Sequence, residues 1–81
     1  MTIFTVFAQD IHSEEESMKA FTDKWGAWDW IDEDIDKVEA ILREDGYDPE
    51  CHAEADEMFF AVVVPNTDIR YTWTVFECEL N

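Results

Sequence analysis

The chain is short of positive charge. Five Lys and Arg stand against 21 Asp and Glu, a formal net charge of −16 at pH 7. Direct nucleic-acid binding needs a basic patch whose cations displace the counterions of phosphate, and five scattered bases cannot build one. An anionic membrane surface would repel the chain for the same reason. Glycine and proline are scarce, two of each, so there is no Gly-rich phosphate loop and no flexible or Pro-rich linker. Serine occurs only at positions 13 and 17, which leaves little for nucleophilic catalysis. Cys51 and Cys78 are too few for a disulfide framework and read as free thiols. No apolar run approaches the roughly 18 residues of a membrane span. The opening Met1-Thr2-Ile3-Phe4-Thr5-Val6-Phe7 has no basic start and no room for a secretory signal, so a cytoplasmic protein is expected.

What the chain does have is apolar and aromatic material, 47% and 15% of its 81 residues. That is the composition of one globular domain, residues 1–81, burying roughly 60% of its unfolded surface. Disorder pairs high charge with few aromatics, and the second condition fails. Self-repulsion among so many carboxylates destabilises a compact state, so the charge is read as having a use. Adaptation to high salt is the rival explanation, but such chains are expected to avoid bulky apolar residues, and this one has four Trp and six Phe.

Residues 2–8 read as a strand with apolar side chains on both faces. Ser13-Glu14-Glu15-Glu16 has the form of a capping box, and Met18, Phe21 and Trp25 recur at helical spacing. With Gly26 as its terminator, the spacing predicts a helix over 13–25. A second helix is expected from Asp29 or Asp32, with Ile31, Ile35, Val38, Ile41 and Leu42 on its buried stripe and Gly46 at its end. A turn at 47–50, a short edge strand at 51–55 and a hairpin of 58–64 with 69–79 around Pro65-Asn66-Thr67-Asp68 complete the reading. The expected fold is α+β: two layers, a three- or four-stranded, mostly antiparallel sheet in the order β-α-α-(β)-β-β, packed against two helices.

Trp25-Gly26-Ala27-Trp28-Asp29-Trp30-Ile31-Asp32-Glu33-Asp34-Ile35-Asp36 is the densest stretch, with three Trp and five acids. Asp32, Asp34 and Asp36 match positions 1, 3 and 5 of a calcium loop, but Lys37 and Arg43 occupy the places that need Gly and Glu. His12, Cys51, His52 and Cys78 lack the paired spacing of a zinc site. No catalytic residue, metal site or cofactor is therefore expected, and the chain is read as a non-enzyme. Trp25 and Trp73 read as core. Trp28 and Trp30, two apart, cannot easily both face inward, and one of them is a candidate interface anchor.

A domain of this size is about 30 Å across, a length over which duplex DNA carries roughly 18 charges. A net −16 is comparable. In size, charge and expected α+β order the chain resembles the small acidic inhibitors of phages and mobile elements: DNA-mimic antirestriction and anti-CRISPR proteins and uracil-DNA glycosylase inhibitors. The resemblance implies a stoichiometric inhibitor that fills the basic channel of a CRISPR effector, restriction enzyme or other DNA-processing enzyme in a host cytoplasm. The residues expected to meet such a partner are Glu14, Glu15, Glu16, Trp28, Asp29, Trp30, Asp32, Glu33, Asp36, Glu39, Glu44, Asp45 and Asp48. The alternative is an acidic adaptor that binds a basic protein without imitating nucleic acid.

Overall fold

The computed structural model describes residues 1–10 and 15–79. Five strands and one helix follow in the order β1 (Thr2–Asp10), β2 (Glu15–Phe21), α1 (Lys24–Glu44), β3 (Glu50–Ala53), β4 (Phe59–Val63) and β5 (Arg70–Glu79). The strands form a single sheet ordered β2-β1-β5-β4-β3, and every neighbouring pair is antiparallel. The helix covers one face, giving a two-layer α+β domain.

The two-helix arrangement expected from the sequence is overturned. The segment read as a first helix is β2, paired with β1 from Phe4↔Phe21 to Asp10↔Glu15. Its residues fit a helical stripe, but β1 lies inside the sheet and needs a neighbour on each side. Glu, Met, Lys and Ala are good helix formers, but propensity is a weak prior, and the seven-residue ladder that β2 supplies to β1 overrides it. Ser13 and Glu14, half of the capping box, lie outside the described residues, and Glu16 is in the strand.

The real helix begins earlier than either Asp29 or Asp32. Asp23 caps it: the backbone is extended there, and the side chain accepts from the Trp25 N–H at 2.7 Å. Gly26, read as a terminator, lies in the first turn, where a Cβ would meet the Phe21 ring at an ordinary 3.5 Å. Gly46 does terminate the helix, at φ +88°, and Tyr47 N–H returns to Leu42 C=O at 2.9 Å.

The helix-facing side of the sheet carries Val6, Ala8, Val62, Trp73 and Val75, which meet Ala27, Ile31, Ile35 and Leu42 in one buried cluster. Cross-strand pairing dictates this: Val6 lies opposite Val75, and Ala8 opposite Trp73. The β4–β5 hairpin expected from the sequence is present, from Phe59↔Thr74 to Val63↔Arg70. Its turn is held by Thr67, whose hydroxyl donates to Val64 C=O at 2.7 Å, with Asn66 at φ 66°. β3 is the exposed edge strand.

Candidate functional site

Position on α1 decides which acids act together. Successive residues turn by 100°, so Asp29, Asp32, Glu33 and Asp36 share the side opposite Ala27, Ile31, Ile35 and Leu42. All four are exposed. From first to last they are seven steps apart, about 10 Å of axis at 1.5 Å per residue, with successive rises of about 4.5, 1.5 and 4.5 Å and a mean of about 3.5 Å. One DNA strand places a phosphate every ~3.4 Å of axis. Lys37 stands one turn after Glu33 and borders the row on one flank.

Other expected contact residues lie elsewhere. Glu39 is half-buried on the flank of the row and ion-paired with Arg43 at 3.0 Å, so it contributes less free charge. Glu44 closes the helix, Asp45 caps it by donating its backbone N–H to Ile41 C=O, and Asp48 follows; these three exposed acids mark the far end. Glu16 is on β2, where its carboxylate accepts from Gln9 Nε2 at 3.2 Å. Its register places it on the sheet face away from the helix, apart from the row. Glu15 opens β2, and Glu14 lies outside the described residues. A second acidic group is the β3–β4 turn with exposed Glu54, Asp56 and Glu57. The Asp56 carboxylate accepts from Met58 N–H.

The tryptophans exchange roles. Trp73 is core, 1% exposed. Trp28 and Trp30 are both half-buried against the core. They point to opposite flanks of the helix: Trp28 Nε1 donates to Glu57 C=O at 3.0 Å, while Trp30 meets the Phe21 ring at 6.0 Å. Trp25, read as core, is 65% exposed. It stacks edge-on against Trp28 at 5.3 Å, with Lys24 5.5 Å from both rings. Trp25 stands one turn before Asp29 and so heads the acidic row. Sequence reading missed this because it placed Trp25 in the wrong helix. Asp23 as a cap would have set the correct phase.

Asp34, grouped with Asp32 and Asp36 by the calcium-loop spacing, turns inward and accepts from Trp73 Nε1 at 2.8 Å. The calcium-like spacing is thus split across different sides of a helix. Beside Asp34 an open cleft of about 230 Å³ is lined by Asp10, Glu16, Ser17, Tyr71 and Trp73, among others. Among the described residues no three His, Cys, Asp or Glu side chains are placed to hold a metal ion. Cys51 and Cys78 are free and exposed, and the register puts them on opposite faces of the sheet. Partial burial pushes the Cys51 thiol above its ordinary value, and the nearby charges of Glu39 and Asp32 add to the shift. No described helix is long and apolar enough to cross a membrane.

Neither a family model, nor a curated protein, nor a solved structure matches the chain.

Proposed function

We propose that the protein is a non-enzymatic inhibitor that imitates nucleic acid and occupies the basic channel of a nucleic-acid-processing enzyme, such as a CRISPR effector or restriction enzyme, in the cytoplasm of a host cell. The observation that carries this reading is the exposed row Asp29, Asp32, Glu33 and Asp36, whose mean charge density, one per about 3.5 Å of axis, is close to that of one DNA strand. Lys and Arg in such a channel would trade phosphates for these carboxylates with little rearrangement. Trp25, at the head of the row, supplies an aromatic anchor of the kind that dominates binding energy. The acids of the 54–57 turn, tied to Trp28 through Glu57, extend the negative surface sideways.

The test is capture of a basic nucleic-acid enzyme on the immobilised protein. The complex should weaken steeply as salt rises, and excess duplex should displace the inhibitor. Replacing Asp29, Asp32, Glu33 and Asp36 by Asn, Asn, Gln and Asn should abolish capture. A complex indifferent to salt and to those four substitutions would remove the proposal. A complex that weakens with salt but ignores excess duplex would instead identify an adaptor for a basic protein surface. The exposure of Trp25 also suits that second reading, since an aromatic anchor needs no nucleic acid to imitate.

A further inference from the structure

The helix covers only one face of the sheet, and the other face has a different chemistry. Opposed residues in an antiparallel pair share a face, so the register assigns its side chains. Met18, Phe7, Thr74 and Phe59 form one row across four strands. The next row holds Ala20, Thr5 and Phe76, and the one beyond it Ile3 and Cys78. Phe76 and Met18 are 53% and 67% exposed, and Phe7, Phe59 and Ile3 are half-buried. Toward the opposite end polar residues join the rows: Glu16, Gln9, Thr72, Ala61 and His52, then Arg70, Val63 and Glu50, with Ala61 and Thr72 already buried by their neighbours. Among the described residues the strands put only two acids on this face, Glu16 and Glu50, and Arg70 offsets one. The least charged surface of a −16 chain is thus also its most apolar.

We propose that two copies of the chain pack through these uncovered sheet faces. Strands of these lengths, at ~4.8 Å spacing and ~3.4 Å rise, give the whole face, polar rows included, an upper bound of roughly 600 Å² per copy. About 1,200 Å² for the pair reaches the lower bound of stable, specific interfaces. The layout suits a two-fold contact, with the Phe7, Phe76 and Met18 rows at its centre and the Glu16 and Arg70 rows at its rim, the anatomy of an apolar core and polar border. Two copies of net −16 repel, and this orientation keeps that repulsion smallest. With layers packed about 10 Å apart, the two acidic helices end up about 30 Å from one another on the outer sides. That is more than three Debye lengths at physiological salt, about 8 Å each. Any contact through α1 would set the acidic rows against each other. The pairing does not depend on the inhibitor reading and leaves both helix faces free for partners.

Sedimentation velocity on the reduced, full-length protein at physiological salt tests this. The expected species is a dimer of twice 9.6 kDa, unchanged or strengthened as salt rises. Phe76→Glu and, separately, Met18→Glu should each give the 9.6 kDa monomer with an unaltered far-UV circular dichroism spectrum. The helix variant Asp29→Asn/Glu33→Gln/Asp36→Asn should remain dimeric. A monomeric wild type across the micromolar to millimolar range would overturn the proposal, as would a dimer that survives both Glu substitutions. Because dimer mass is read without any enzyme present, failure of the pairing is distinct from failure of the inhibitor reading.

Discussion

The buried indole N–H of Trp73 donates to Asp34 Oδ2 at 2.8 Å, joining the central strand of the sheet to the middle of the helix that covers it. Trp73 is 1% exposed, so removing the carboxylate leaves its N–H with no protein acceptor and only such water as enters from the adjoining cleft. Asp34→Ala should lower unfolding free energy by about 1–3 kcal/mol, the cost of leaving a buried donor unpaired. Asp34→Asn keeps a carbonyl acceptor in reach and should cost less. Urea titration of both variants measures the difference. Equal losses would show that packing, not the hydrogen bond, matters at this position.

The acidic row carries an internal strain. Asp29 and Glu33, and Asp32 and Asp36, are like charges one turn apart, and such pairs oppose helix formation by about 0.2–0.5 kcal/mol each. Asp29→Asn/Glu33→Gln/Asp36→Asn should therefore raise the melting temperature in low salt. Added NaCl should stabilise the wild type more than the variant, because it screens a repulsion that the variant lacks. Calorimetry across a salt series reads both effects. A variant that melts below the wild type in low salt would show that the row does not oppose the fold.

The two glycines of the helix should respond in opposite directions. At Gly26 an added methyl meets the Phe21 ring at an ordinary 3.5 Å, so Gly26→Ala should gain up to about 1 kcal/mol from helix propensity. At Gly46 the space is open but φ is +88°, a conformation that L side chains resist. Gly46→Ala should lose about 1 kcal/mol. Chemical denaturation of the pair tests the assignment of each to opposite ends of α1.

Partial burial and the charges of Glu39 and Asp32 hold the Cys51 thiol above its ordinary value, so the thiolate forms late as pH rises. In a Cys78→Ser background, alkylation of Cys51 by iodoacetamide near pH 8 should be slower than that of an unstructured cysteine peptide. Glu39→Gln and Asp32→Asn should each shift the alkylation–pH profile toward lower pH. No shift in either would place those carboxylates away from the β3 edge.

Much of this architecture was legible in the chain. The continuous apolar run ending at Val64, the turn at Pro65-Asn66-Thr67-Asp68 and the alternation after Ile69 led to the β4–β5 hairpin, because hairpin signals are local. The stripe through Ile31, Ile35 and Leu42 and the stop at Gly46 located the helix for the same reason. The 15–21 segment was not legible, since Met18 and Phe21 suit a period of 3.6 as well as one of 2. What decides is non-local: Phe7 needs Met18 across from it, and Val6 needs Lys19. The acidic row on α1 followed from helix phase, whereas the exposure of Trp25 depended on where the helix starts, and element boundaries respond to a single cap such as Asp23.

Both borders of the sheet, β2 and β3, are rails of backbone that a neighbouring molecule could zip onto. At neutral pH mutual repulsion between molecules keeps those rails apart. Near the isoelectric point of about 4.1 that repulsion vanishes while the rails remain, so mild acid should turn the solution turbid. The same carboxylates that suit the molecule to a cationic groove also keep it colloidally dispersed, and a variant stripped of them would be expected to precipitate.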